Sequence, residues 1–329
     1  MAFAFSRGLF FRRSFLLRGI DCIALGGNAI IPTNGSGTIE EQREVTSTSM
    51  RQVADLIVSG RKVILTHGNG PIVGNIVERN EAVKYRIPPM PLDVCGADSQ
   101  GGIGYMIQQS LKNELSALGM HRDVVSIVSQ VVVSEHDEAF EHPTKPIGLF
   151  YEKSEAEALE REKGYRMIMD ANRGYRRVVP SPRPLEIIEA DVISRLLKLG
   201  TVVIAVGGGG IPVVRNGDQL IGIEAVIDKD RAAAVLGRMV GAERLIILTS
   251  VPEVYVNFGK PNQKAIRKIK LSAIKKLNNA GEFPAGSMGP KIEAAIDFLE
   301  SGGKRVIISD ARMLLEASKG KAGTHILTD

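Results

Sequence analysis

Tryptophan is absent from the 329 residues, and there are only two cysteines, Cys22 and Cys95. Two cysteines cannot build a disulfide scaffold or a zinc site unaided, and such usage suits a reducing compartment. Cys22 reads as a small core residue in an apolar strand; Cys95, near glycine-rich sequence, reads as packing before reactivity. No apolar run approaches the roughly 20 residues that span a bilayer, and residues 201–214, uncharged throughout, carry four glycines and a proline. A transmembrane helix is therefore excluded. Also missing are the phosphate-binding G-x-x-x-x-G-K-[ST] sequence, the H-E-x-x-H zinc sequence and the G-x-S-x-G nucleophile turn. Gly207-Gly-Gly-Gly210 is followed by Ile211 and Pro212, and Pro212 falls where a dinucleotide fingerprint needs its third small residue. The five histidines show no metal-ligand spacing.

What is present is ordinary globular composition, 44% apolar and 24% charged, with 35 glycines. The net charge of +5 is mostly local. Arg7, Arg12, Arg13 and Arg18 lie in the first 19 residues, which hold no Asp, Glu or Lys. The remainder is nearly balanced, so nothing in the charge points to nucleic acid or a membrane surface as a partner. Residues 1–19 also contain half of the ten phenylalanines. They read either as an organelle transit peptide or as a bland extension. The expected location is cytoplasmic, or a mitochondrion-like organelle matrix if the leader targets the chain.

The body, residues 20–329, repeats one join: a helix-like stretch ends in glycine and a short β-branched run follows. Gly60, Gly119, Gly200, Gly241 and Gly302 precede apolar runs at 62–66, 124–133, 201–206, 244–249 and 305–309, and an opening run lies at 21–25. Glycine at a helix end takes the left-handed conformation cheaply. Short apolar runs are what strands covered on both faces look like. The pattern predicts an α/β fold, a three-layer αβα sandwich with a largely parallel central sheet. Helices are expected over 41–59, 99–118, 185–199, 228–240 and 288–300. Residues at about 134–180, polar and proline-interrupted, are expected to form an inserted lid subdomain.

Four glycine loops are expected to leave strands: Leu25-Gly26-Gly27-Asn28-Ala29, Thr66-His67-Gly68-Asn69-Gly70-Pro71, Gly96-Ala97-Asp98-Ser99-Gln100-Gly101-Gly102 and Gly207-Gly-Gly-Gly210. In a parallel sheet such loops crowd the carboxyl edge, where backbone N–H groups beside helix N-termini bind anions. Lys229 and Lys291 each fall in the first turn of an expected helix, opposing the helix dipole at a cost of ~0.3–1 kcal/mol. That cost makes sense if an anion shares the helix end. Either lysine alone reads equally as a solvated residue; the two together with the loops favour function. Asp230 reads either as an orienting carboxylate or, more simply, as a helix cap. Lys145, before Pro146, reads as a solvated loop lysine. His67 reads as packing its turn, and Phe258-Gly-Lys-Pro261 as a turn beside a base.

Ala24-Leu-Gly-Gly-Asn-Ala29, Thr66-His-Gly-Asn-Gly-Pro71, Lys145-Pro-Ile-Gly148, Val179-Pro-Ser-Pro-Arg-Pro184, Gly207-Gly-Gly-Gly-Ile-Pro212, Glu224-Ala-Val-Ile-Asp-Lys-Asp230 and Gly286-Ser-Met-Gly-Pro-Lys291 occur in that order. On these seven blocks the chain, from about residue 20 to its end, resembles the amino acid kinase family, specifically its carbamate-phosphorylating branch. Ile72 departs from the glutamine usual there, and the leader lies outside the pattern. The resemblance implies ATP-dependent phosphoryl transfer to carbamate, a homodimer, small-molecule substrates and magnesium carried mainly by nucleotide phosphates. It implies that Lys229 and Lys291 meet the phosphates, that Asp230 organises them and that Lys145 acts from the lid. Gly26, Gly27, Asn28, Gly68, Asn69 and Gly70 would cradle carbamate and the moving phosphoryl group. Gly208, Gly209, Thr249, Ser250, Tyr255 and Met288 would serve the nucleotide. Another small-acid kinase and a non-catalytic sensor on the same frame are the competing readings.

Overall fold

The structure, a computed structural model, describes residues 19–31, 37–170, 173–284 and 286–329. Residues 1–18 of the expected leader lie outside the described residues. The chain begins with strand β1 (Ile20–Leu25), helix α1 (Ile39–Val58), β2 (Lys62–His67), α2 (Gly70–Val83) and α3 (Leu92–Ala117). Next come β3 (Val124–Ser126), β4 (Gln130–Val132), β5 (Lys145–Tyr151), α4 (Lys153–Lys163), β6 (Arg166–Met169), β7 (Tyr175–Val179) and β8 (Glu186–Ile187). Then follow α5 (Ala190–Lys198), β9 (Val202–Ile204), β10 (Ile211–Asn216), β11 (Gln219–Gly222), α6 (Lys229–Met239) and β12 (Arg244–Thr249). The last part holds β13 (Val254–Val256), β14 (Lys264–Ile266), β15 (Lys268–Lys270), α7 (Leu271–Asn279), α8 (Gly289–Glu300), β16 (Arg305–Asp310), α9 (Leu314–Ser318) and β17 (Thr324–Leu327).

The main sheet has the order β15-β17-β16-β12-β1-β2-β9-β3, parallel except where β17 runs against β16. Strand alternation divides its side chains between two cores. Ile23, Leu25, Val63 and Leu65 face α1 and α3, with Met50, Val53, Ile103 and Ile107. Cys22, Ala24, Ile64 and Leu245 face the other layer, with Ile193 of α5, Leu236 of α6 and Phe298 of α8. This is the expected three-layer sandwich. All five join glycines adopt positive φ ahead of a strand.

Local boundaries depart from expectation in three places. Residues 124–133 are two strands, β3 in the main sheet and β4 in a smaller sheet of order β11-β10-β4-β8. Residues 185–199 open with strand β8 before α5 begins. The third glycine sequence is not a loop: Gly96, Gly101 and Gly102 lie inside α3, which starts at Leu92 behind Pro91. Burial of Leu92, Cys95, Ser99, Ile103 and Ile107 at helical spacing outweighs the glycines' poor helix propensity. Gly104 there has a packing reason, because a Cβ would fall 2.2 Å from the Ser126 hydroxyl.

Between β4 and β8 the chain forms a three-stranded antiparallel sheet, β5-β7-β6, beside α4. It packs on α2, with Gly74 against Gly148: a Cβ on Gly74 would lie 2.5 Å from the Gly148 backbone. No helix among the described residues is long and apolar enough to cross a membrane.

Candidate active site

Because β1, β2, β9 and β12 are parallel neighbours, their carboxyl ends open on one edge of the sheet. Three expected loops meet there. Gly27, Asn28 and Ala29 form a 3₁₀ turn after β1. Gly26 must lack a side chain, since a Cβ would sit 2.6 Å from the Leu248 carbonyl of β12. Gly68 and Asn69 lead from β2 into α2, which carries Pro71 in its first turn as expected. Asn69 is buried; its amide donates to Ser99 Oγ at 3.0 Å, which anchors the turn to α3. Gly208 follows β9 with φ +68° and leaves room for Asn69, whose Nδ2 a Cβ would approach to 2.2 Å.

Helices α6 and α8 aim their N-termini into the same space. Asp230, 1% exposed, stands between Lys229 and Lys291. Lys229 Nζ donates to Asp230 Oδ1, and Lys291 Nζ donates to Oδ2 at 2.9 Å. Asp230 therefore bridges the two lysines and is not the cap. The cap is Asp228, whose Oδ1 accepts from the Asp230 and Arg231 amides at 2.9 and 3.3 Å. Lys145 is likewise not a solvated loop residue. It opens β5, and its Nζ donates to Asp228 Oδ2 at 2.7 Å. Sequence reasoning missed Asp228, although an Asp ahead of a helical run is the ordinary cap signal.

The charges perturb one another. Burial would raise the Asp228 carboxyl, but Lys145, Lys229 and Lys291 outweigh it and hold it below the usual carboxylate range. Burial lowers the Lys229 ammonium, and Lys291 adds to this against the pull of Asp230. Lys291 is disfavoured by burial yet ends above its ordinary value through Asp230 and Asp228. His67 is pushed down to about 4, chiefly by burial. Its ring packs against Gly207, where a Cβ would fall 2.3 Å from Nε2. His67 thus packs the turn as a neutral ring.

Three adjoining cavities run along this edge. The first, about 240 Å³, is lined by Gly27, Gly68, Asn69, Gly70, Lys145, Gly208, Asp228, Lys229, Asp230 and Lys291. The second, about 140 Å³, holds Gly26, Gly27, Asn28, Lys229, Thr249, Ser250 and Lys291. The third, about 270 Å³, is mostly apolar and lined by Thr249, Ser250, Tyr255, Phe258, Phe283, Met288 and Lys291 among others. Lys291 borders all three. Gly208 lines the first cavity beside Asn69 and not the apolar one that holds Tyr255 and Met288, and Gly209 packs on the Ile227 carbonyl and lines none of the three. These two glycines do not join the other residues expected to meet the nucleotide. Phe283 and Ser287 also border the apolar cavity; Ser287 lies inside the Gly286–Lys291 block without having been singled out, and no local sequence pattern marks Phe283. Ile72, half-buried, packs against the α1–α3 core.

A polar, lysine-bearing cavity thus joins an apolar, aromatic one through a shared ammonium group. Chemically, such a site can hold an anion and a nucleotide end to end. The model of the amino acid kinase family matches residues 22–310. The carbamate kinase of Pyrococcus furiosus is 46% identical over 307 residues, covering 93% of this chain and 98% of that protein. Carbamate kinase 2 of Staphylococcus epidermidis is 45% identical over 307 residues, covering 92% and 98%. Among solved structures, the carbamate kinase of Giardia lamblia bound to AMP-PNP superposes with a TM-score of 0.88 at 43% identity, covering 94% of this chain and 99% of that one.

Proposed function

The chain belongs to the amino acid kinase family and within it to the carbamate kinases, and on that premise we propose that it transfers a phosphoryl group reversibly between ATP and carbamate, giving ADP and carbamoyl phosphate. The observation that carries this reading is the row of three cavities with Lys291 on the wall of each and Lys229 on two. Nucleotide and acceptor are both anions, so the barrier is mutual repulsion and alignment. Ammonium groups held at the junction answer both.

In the forward step a carbamate oxygen bonds to the γ-phosphorus while the bond to the β,γ-bridging oxygen breaks and ADP departs with that electron pair. Carbamate is already an oxyanion, so no general base is required. The work left to the protein is positioning and charge stabilisation. Gly26, Gly27, Asn28, Gly68, Asn69 and Gly70 cradle carbamate and the moving group. Lys229 and Lys291 neutralise the charge that develops on the phosphoryl oxygens, and Asp230 fixes their places. Thr249, Ser250, Tyr255 and Met288, joined by Phe258 and Phe283, hold the adenosine end. The AMP-PNP bound by the Giardia relative supports a nucleotide as substrate.

Asp228 and Asp230 are already engaged by lysines. No group of three His, Cys, Asp or Glu suited to a cation is found among the described residues. A magnesium ion therefore fits this site as a passenger on the nucleotide phosphates, where it would supply further charge neutralisation.

The β5-β7-β6 unit is the lid in this reading, delivering Lys145 to carbamoyl phosphate. The working direction is towards ATP, as expected for a mixed anhydride donating to ADP, and the setting is arginine catabolism in a reducing compartment. The homodimer implied by the family belongs to the same reading. The test is ATP formation by the purified chain from ADP and carbamoyl phosphate, with acetylglutamate offered separately as acceptor for ATP. Carbamoyl phosphate should support turnover. Activity with acetylglutamate alone, or with neither, would sink the assignment.

A further inference from the structure

Asp230 serves two lysines, but the third ammonium group of the site has a carboxylate of its own. Lys145 Nζ lies 2.7 Å from Asp228 Oδ2. The other oxygen of that carboxylate, Oδ1, accepts from the backbone amides of Asp230 and Arg231 and so caps α6. One side chain thereby ties together two pieces of chain 83 positions apart: the first residue of β5 and the helix that presents Lys229 and Asp230. The pair is sheltered, with 15% of the Asp228 side chain and 32% of the Lys145 side chain exposed. An ammonium group has three N–H donors, so one bond to Asp228 leaves two for phosphoryl oxygens.

We propose that Asp228 is a positioning residue for the transfer, holding Lys145 at the junction of β5 and α6 as Asp230 holds Lys229 and Lys291. The role differs from that of a plain helix cap. A cap needs only an oxygen facing the Asp230 and Arg231 amides; positioning Lys145 also needs the negative charge on the second oxygen. The two requirements separate by substitution. Asp228→Asn keeps a capping oxygen, because asparagine caps as well as aspartate, but turns an amide N–H towards Lys145. Asp228→Ser keeps a capping oxygen too short to reach it.

The experiment compares the parent chain, Asp228→Asn, Asp228→Ser, Lys145→Ala and the double variant Asp228→Asn/Lys145→Ala, all full length. Its kinetic arm rests on the phosphoryl-transfer reading above. Asp228→Asn should melt near the parent temperature, lose about tenfold or more in kcat and keep its KM for ADP within about twofold. In the Lys145→Ala background the same change should cost less than about twofold, because the group it positions is gone. Parental kcat in Asp228→Asn, or losses that multiply in the double variant, would overturn the proposal. A second arm needs no turnover. Hydrogen exchange over residues 145–151 should quicken in Asp228→Asn, Asp228→Ser and Lys145→Ala alike. If the parent chain makes no ATP, the carbamate reading fails while this arm still decides: unchanged exchange in the Asp228 variants overturns the tie.

Discussion

Lys229 and Lys291 each place an ammonium group on one oxygen of a carboxylate that is almost wholly out of solvent. On the proposed mechanism alanine at either position would remove one charge from the reacting phosphoryl group, and it would leave Asp230 short of a partner. Loss of a single preorganised electrostatic donor costs roughly 10²–10³ in kcat, so Lys229→Ala and Lys291→Ala should each fall by at least about 10²-fold in steady-state assays. Near-parental turnover in both would remove the mechanism. These lysines are legible in sequence because each breaks a local rule, a cation in the first turn of a helix. The partner of Lys145 is not. No short-range pattern signals a bond between residues 145 and 228, and proline at 146 suggests a loop where a strand begins.

Glycine behaves differently from one element to the next. Gly26, Gly68 and Gly208 sit on turns at strand ends, where a Cβ would strike the Leu248 carbonyl at Gly26 and crowd Lys229 at Gly68 and Asn69 at Gly208. A Cβ added at Gly96, Gly101 or Gly102 would meet nothing within 4 Å, and buried apolar residues of the same helix decide the conformation instead. Composition cannot separate these cases; burial can. Gly74 is the consequential one. It lets α2 meet β5 backbone to backbone, and Tyr151 of β5 and Lys163 of α4 add bonds to Glu78 and Glu81. In Gly74→Ala the methyl group has only Gly148 backbone to displace. Stopped-flow and equilibrium measurements should show turnover reduced about tenfold or more, with ADP affinity within about twofold of the parent, since Tyr255 and Met288 lie on the far cavity. Equal weakening of both would mean that the contact supports the whole fold and not the placement of Lys145.

At the scale of the molecule the parallel sheet has two unlike ends. The carboxyl end carries the glycine turns and the lysines. At the amino end Asp21, fully buried, accepts from both Arg61 and Arg244, each through two guanidinium nitrogens. Breaking a buried pair by deleting one partner costs about 3–5 kcal/mol. Asp21→Ala should therefore lower unfolding free energy by roughly 3 kcal/mol or more in urea, while kcat and KM of the folded protein stay unchanged. A shift in kinetic constants without loss of stability would contradict this separation of ends.

The balance of charge at the carboxyl end also bears on how the cycle finishes. Lys145, Lys229 and Lys291 are matched against Asp228 and Asp230, two carboxylates to three cations. Three uncompensated cations would grip a polyphosphate before and after reaction alike, and tight embrace of the ground state brings no acceleration. In the proposed reaction, by answering most of that positive charge from within, the two aspartates would let the departing nucleotide go, so the groups that steady the lysines would also guard against arrest by product.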